Sequence, residues 1–271
     1  MGSFPQFVLP STEVRKLYSS FVGEDYQVFI SLPFGYDESK DRYPVLYVLD
    51  GDRFFPLAWD IIHSLEFQEE IPELILVGIG YGKLPNEDGN HRSRDLTPTV
   101  VETEPQPTGG ADLFFKFFQD ELIPFVDKNY RTKPSDRSIW GQSLGGLFVL
   151  NCLFRDNRPF FRHLATSASP TWDDRWIIRR EESFAKSHSN LDAKLFLTED
   201  NATPICIDAW RDFSQTLRKR DYDRFDFDCK LYENEGHSSC RPSALTEGLR
   251  FLFKDSPKKT PEWVRIFKET H

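Results

Sequence analysis

The sequence predicts an α/β architecture: a mostly parallel sheet with helices on both faces and antiparallel strands at one N-terminal edge. Three observations predict it. From residue 44 to residue 253, short apolar runs alternate with helix-period segments, as a parallel sheet with helical crossovers requires. Ahead of them, residues 12–20 and 25–33 alternate apolar and polar side chains, the period of a half-buried strand. Near the middle, Gly141-Gln142-Ser143-Leu144-Gly145 stands between a strand pattern and an apolar helix pattern, and reads as strand, sharp turn, helix.

Each element follows from a local signal. The second edge strand ends at Pro33, and Gly35-Tyr36-Asp37 makes a turn. Residues 44–50, Pro-Val-Leu-Tyr-Val-Leu-Asp, are the continuous run of a strand buried on both faces. Gly51-Asp52 follows, then a helical pattern over about 55–69 and a second buried strand over 73–80. Residues 81–110 are polar and rich in Pro, Asn, Asp and Gly, too long for a simple connection and of a length that often carries function. Over 111–129, Leu113, Phe114, Phe117, Phe118, Leu122 and Phe125 recur at helical spacing and read as core. After the Gly-x-Ser-x-Gly turn come a short strand at 163–168, a helical excursion over 172–187, a strand at 193–198 and a helix at 204–220. An alternating edge-side strand at 225–232 and a helix at 243–253 follow. The chain reads as one domain over residues 1–271, with 254–271 as a polar surface tail.

At 271 residues there is ample chain for a buried core, and 25 phenylalanines against 1 methionine make that core aromatic. A net charge of −9 with no basic block argues against nucleic acid as a partner. The four cysteines, Cys152, Cys206, Cys229 and Cys240, have neither zinc nor Cys-x-x-Cys spacing; Cys152 falls on the apolar face after the turn and reads as packed, with a disulfide among the others left open. Met1-Gly2-Ser3-Phe4-Pro5 does not resemble a signal peptide, and no apolar run approaches the ~20 residues of a membrane helix. A cytoplasmic protein with no membrane contact is the expectation.

The chemistry starts at Ser143. Glycines on both sides let a serine occupy a strained turn, with its hydroxyl above the sheet and a helix N-terminus beneath it. A serine hydroxyl needs a base to become a nucleophile. In this strand–turn–helix context the base follows the serine and the acid in chain order. Of six histidines, His237 in Glu235-Gly236-His237-Ser238-Ser239 stands after the last strand and before the last helix, where that base belongs. The acid belongs after the strand ending near Thr198: Asp200 is preferred as lying beyond the strand end, Glu199 also qualifies, Asp208 is more distant, and a serine–histidine dyad stays open. An oxyanion hole needs two N–H donors; the backbone N–H groups of Leu144 and Asp52 are the candidates. The loops after Leu49, Trp140 and Tyr232 all open at the carboxyl ends of the strands, where sites in such sheets gather.

Several stretches together resemble the enterochelin-esterase-like branch of the α/β-hydrolases, which includes siderophore trilactone hydrolases. They are Leu32-Pro33-Phe34-Gly35-Tyr36, Val48-Leu49-Asp50-Gly51, Arg92-Ser93-Arg94-Asp95-Leu96-Thr97-Pro98, Gly109-Gly110-Ala111, Glu121-Leu122-Ile123-Pro124, the Ser143 turn, Ser169-Pro170-Thr171-Trp172 and Gly236-His237. The resemblance implies an α/β-hydrolase fold and a serine esterase that needs no cofactor and no metal, acting on a small-molecule ester, a siderophore lactone among the candidates. It implies Ser143 as nucleophile, His237 as base, and oxyanion donors near Asp52 and Leu144. A Gly-x-x-acid pattern found in some members is absent from Leu197-Thr198-Glu199-Asp200-Asn201, which leaves the acid open. Arg92, with Arg94, is a candidate for holding an anionic substrate, the alternative being a pin to a loop carboxylate. Trp172, with Trp176, is a candidate wall of the site, the alternative being core packing. The same machinery allows acyl transfer to an alcohol, and a non-catalytic binding protein of this fold is the rival from another class. The identity of the ester and the oligomeric state are not encoded in any recognisable pattern.

Overall fold

A computed structural model describes residues 7–84, 87–201, 203–258 and 260. The first five residues, read above as lacking a signal-peptide pattern, and most of the expected surface tail lie outside the described residues. The strands are β1 (Thr12–Ser19), β2 (Glu24–Ser31), β3 (Tyr43–Val48), β4 (Ile75–Gly80), β5 (Thr132–Gln142), β6 (Arg162–Thr166), β7 (Asn190–Asp200) and β8 (Asp223–Tyr232). The helices are α1 (Gly51–Phe67), α2 (Arg92–Leu96), α3 (Ala111–Lys116), α4 (Ile123–Asn129), α5 (Leu144–Leu153), α6 (Trp172–Ala185), α7 (Pro204–Arg220) and α8 (Arg241–Leu252).

All eight strands join one sheet in the order β1-β2-β4-β3-β5-β6-β7-β8. β2 is antiparallel to both β1 and β4, and every other pair is parallel. The register aligns the carboxyl ends: Val48 lies opposite Trp140, Gln142 opposite Thr166, Thr166 opposite Thr198, and Asp200 opposite Tyr232. The segments that follow β3, β5, β6, β7 and β8 therefore leave the sheet along one rim.

Successive strand residues face opposite sides, so each buried strand feeds two cores. Tyr47 and Leu49 join the larger core, and Leu46 and Val48 join the smaller one beneath α1 and α8. The larger core is aromatic, as the composition predicts: Tyr26 stacks on Phe117 at 4.6 Å, Phe114 meets Phe148 at 5.2 Å, and Phe118 meets Phe160 at 5.8 Å between ring centroids. Cys152 is buried there, and all four cysteines are unpaired thiols.

Beyond shifts of one or two residues at other ends, such as β6 and α8, four elements differ from the sequence expectation for a physical reason. α1 begins at Gly51, four residues early, because the Asp50 carbonyl accepts from both Arg53 and Phe54 N–H at 2.9 and 3.0 Å. The helix expected over 111–129 is broken by a π-helical stretch, Phe117–Leu122. Pro124 follows it at the start of α4, where its ring has no N–H and crowds the preceding turn. The polar stretch 81–110 contains α2, anchored by Asp95, which accepts from Tyr26 OH at 2.6 Å in the core. β7 runs to Asp200, two residues beyond the expected end, because β8 pairs with it as far as Tyr232.

The β5–α5 turn is closely packed. A Cβ on Gly141 would run into the carbonyl of Gly145, and one on Gly146 would come within 2.8 Å of Ala168 Cα. Gly236, by contrast, has open space around it. Gly141→Ala is expected to destabilise the protein by several kcal/mol, in the upper tail of single substitutions, and Gly236→Ala to stay within about 0.5 kcal/mol. Urea unfolding of the two variants decides it; comparable midpoints would refute the packing argument.

Candidate active site

Ser143 sits between β5 and α5 at φ 59° and ψ −123°, a backbone conformation that costs an L-residue on the order of 1–3 kcal/mol. Its N–H donates to Thr166 O at 3.0 Å and its carbonyl accepts from Leu147 N–H at 3.0 Å, so both sides of the turn are tied down. α5 behind it is buried from Gly145 to Leu153. Neighbouring core on all sides thus holds a conformation the residue alone would leave.

The same rim brings in the other candidates. His237 follows β8 in a turn, with its side chain 44% exposed. Its Nδ1 is 2.9 Å from Oδ2 of Asp200, which is fully buried at the end of β7. With Nδ1–H donating to that carboxylate, Nε2 keeps its lone pair and is free to accept. Ser143 and His237 wall one cavity of about 80 Å³, together with Asp50, Arg53, Arg92 and Arg241. Among the described residues, Ser143 Oγ is hydrogen-bonded to Ser169 Oγ at 3.5 Å.

Of the three carboxylates considered for the acid, Asp200 faces the histidine. It does so from inside the strand rather than from a loop beyond it, which corrects the reason given for preferring it. Glu199 points to the other side of the sheet. Its Oε1 accepts from Asp200 N–H at 3.1 Å, and its Oε2 is buried without a hydrogen-bond partner among the described residues. Burial pushes its pKa up to about 8, with the Asp200 charge adding to the shift. Asp208 lies on α7, paired with Arg211 on the exposed surface. The remaining described histidines are engaged elsewhere. His63 pairs with Glu66, His91 with Glu24 and His188 with Asp156. His163 is wholly buried, and desolvation lowers its pKa to about 3, so it is a neutral core residue.

Arg92 reaches the cavity wall but is committed. Its Nε and a terminal nitrogen grip both oxygens of Asp50, at 2.7 and 2.9 Å. Arg94 points away, to Asp95 at 2.7 Å and Glu24 at 3.3 Å. Both arginines pin their loop, the alternative the sequence reading kept open. Trp172 is not among the residues that wall the cavity. It packs half-buried on the larger core with Trp176, and its indole N–H donates to Thr99 Oγ1 at 3.0 Å. Leu144 and Asp52 both lie in the first turn of a helix, where backbone N–H groups have no acceptor inside the helix. The Asp52 carboxylate turns outward to Tyr81 and Gly82 N–H, at 2.5 and 3.0 Å. Burial raises its pKa, and these N–H groups and its own partly offset the rise.

Four participants, Gln142, Ser169, Arg53 and Arg241, are given no role by the sequence reading. Gln142, an unspecified position of the Gly-x-Ser-x-Gly pattern, donates to the His237 carbonyl and accepts from Arg241 Nε at 2.5 Å. Ser169 reaches Ser143 because the chain leaving β6 has left-handed backbone at Ser167 and Ser169, φ 44° and 48°. Asp173, Asp174 and Arg175 continue with positive φ inside α6, braced by Arg179 bonding to the carbonyls of Asp173 and Asp174. Arg53 and Arg241 stand on the cavity wall from the starts of α1 and α8.

An eight-stranded sheet with this strand order, helices on both faces and a strained serine on the β5–α5 turn defines an α/β-hydrolase. The family "Putative esterase" matches residues 19–226, more than half of the chain, and the protein belongs to that family. It is therefore a carboxylic ester hydrolase. The chain is 28% identical to the ferri-bacillibactin esterase BesA of Bacillus subtilis, with 94% of each chain covered. It is 26% identical to the siderophore triacetylfusarinine C esterase of Aspergillus fumigatus, over 95% of this chain and 98% of that one. Among solved structures, an IroE-like serine hydrolase from Shewanella oneidensis superposes with a TM-score of 0.82 at 29% identity, over 90% of this chain and 80% of that one. No helix among the described residues is long and apolar enough to cross a membrane.

Glu199 generates a test by its burial. Its folded pKa of about 8 lies above the ordinary carboxyl value of 4.5, so between these values the folded state holds a proton that the unfolded state has lost. Stability then falls as pH rises through this window, by up to several kcal/mol. Thermal unfolding at pH 5 and pH 9 should show a drop for the native protein and a much smaller one for Glu199→Gln; parallel pH profiles would contradict a neutral buried carboxyl.

Proposed function

We propose that this protein hydrolyses an ester of a siderophore, with Ser143 as nucleophile, His237 as general base and acid, and Asp200 as the carboxylate that orients the histidine. One observation carries the reading: a serine held in a strained turn shares a cavity with a histidine whose other nitrogen bonds a buried carboxylate. The siderophore class is supported by relatives that align over nearly the full length of the chain and are named for such esters.

The chemistry follows in two halves. Rotation of the Ser143 hydroxyl from Ser169 toward His237 lets Nε2 take its proton as Oγ attacks the ester carbonyl. The oxygen of the tetrahedral intermediate gathers negative charge, which the N–H groups of Leu144 and Asp52 meet from two helix N-termini. The carbon–oxygen bond to the alcohol breaks, and His237 hands its proton to the leaving oxygen. Water then gives a proton to His237 and attacks the acyl-enzyme. Collapse of the second intermediate returns the proton to Ser143 and releases the acid. Asp200 stays ionised throughout and stabilises the imidazolium. No step calls on a metal or cofactor.

The cavity holds little more than the ester group itself. The bulk of a siderophore therefore rests outside it, against the rim.

Ser143→Ala should fold and lose nearly all hydrolysis of a chromogenic ester, and a fluorophosphonate should label the native protein at Ser143 only. Asp200→Asn should lower kcat by about 10³–10⁴, while Glu199→Gln keeps activity within about tenfold at neutral pH. Steady-state kinetics on the three variants measure this. Full activity in Ser143→Ala would end the reading, and equal losses at positions 199 and 200 would remove Asp200 from its role.

A further inference from the structure

The arginine the sequence offered for anion recognition is spent on Asp50, yet the cavity keeps two others. Arg53, the third residue of α1, and Arg241, the first of α8, converge on one ring. Their guanidinium carbons lie 5.3 and 5.1 Å from the centroid of Phe54. Phe54 is a firm platform, itself buried and packed on the fully buried Trp140 at 5.6 Å. A planar cation over an aromatic face is held in place without giving up its charge.

Neither guanidinium has a carboxylate partner among the described residues. Arg241 donates only to neutral oxygens, Gln142 Oε1 at 2.5 Å and Ser238 Oγ at 3.0 Å. Arg53 is exposed, and its contact is the ring. The two nearest candidates to neutralise them are taken: Asp50 grips Arg92, and Asp200 holds His237. Burial lowers the Arg241 pKa, and the like charge of Arg53 lowers it further. A chain of net charge −9 thus carries at its cavity three arginines against a single aspartate. Two like charges held on one ring without a carboxylate partner among the described residues repel each other until an anion joins them.

We propose that Arg53 and Arg241 form an anion subsite on Phe54 that selects esters carrying an anionic oxygen pair, a carboxylate or a catecholate, close to the scissile bond. The assignment rests on the esterase reading of Ser143. Arg241 donates to Gln142, the residue before Ser143, which in turn donates to the His237 carbonyl, so an anion bound there shares the cavity of the nucleophile. The subsite acts on binding and selectivity, and a neutral ester gains nothing from it.

Two measurements separate this proposal from the esterase reading. In the Ser143→Ala protein, which binds without turnover, salicylate and the size-matched neutral salicylamide are titrated by calorimetry. Salicylate should bind the more tightly, and its advantage should shrink as salt is raised. Arg53→Ala in that background should cut the ratio of the two affinities about tenfold, the worth of one charge-assisted contact, and Arg53→Lys should restore part of it. In the protein with Ser143 intact, the ratio of kcat/KM for 4-nitrophenyl hemisuccinate over 4-nitrophenyl butyrate should fall similarly in Arg53→Ala, through KM. No preference for salicylate, or a ratio indifferent to Arg53, overturns the subsite. Arg53-dependent salicylate binding in a protein that hydrolyses no ester would uphold the subsite and overturn the esterase reading instead.

Discussion

The turn at Ser143 leaves no room for side chains on its flanks, and the rest of the rim is built around that shortage of space. β5 and α5 approach so closely that Gly141 faces the Gly145 carbonyl, and α5 comes against the chain leaving β6 at Gly146. Within this crossing the serine must take positive φ. The strain is supported by hydrogen bonds to Thr166 and Leu147 and by a helix buried along nearly its full length. Such a conformation persists because the surrounding packing over-determines it. Its effect is to place one hydroxyl above the sheet, clear of backbone, at the edge where the other segments emerge.

Register does the remaining assembly. Parallel neighbours end level with one another, so residues far apart in the chain leave the sheet side by side. Asp50, Ser143, Ser169, Asp200 and His237 come from five different connections or strand ends, yet hydrogen bonds or a common cavity link them. The extra length of β7 matters here. Carrying Asp200 within the strand buries it completely, whereas a loop position would have left it to water. A buried carboxylate orients an imidazole more firmly than a solvated one, because no water competes for its oxygen.

The electrostatics of the rim run against those of the whole molecule. An acidic chain gathers Arg53, Arg92 and Arg241 at one cavity and neutralises one of them internally. Internal pairing takes Arg92 and leaves Arg53 and Arg241 to the proposed subsite. Arg92 and Arg94 hold the connection between β4 and α3 in place, through Asp50, Asp95 and Glu24. That connection in turn braces Trp172 through Thr99.

Much of this was legible in the amino-acid sequence, because it is written in short-range patterns. Apolar runs of strand length, the helical spacing of Phe114, Phe117 and Phe118, and glycines around Ser143 each reflect a local constraint, and they were enough for the sheet class and to nominate the serine and the histidine as candidates. The break in the helix before Pro124 and the early start of α1 were also local in cause, but proline and glycine alone do not say which of several accommodations the chain adopts. What only the tertiary structure decided is partnership. Whether Arg92 met Asp50 or a ligand, whether Asp200 or Glu199 faced His237, and which arginines shared Phe54 all depend on distances between residues dozens of positions apart. Those distances follow from sheet register and from the crossing of helices over it, and no local periodicity carries them.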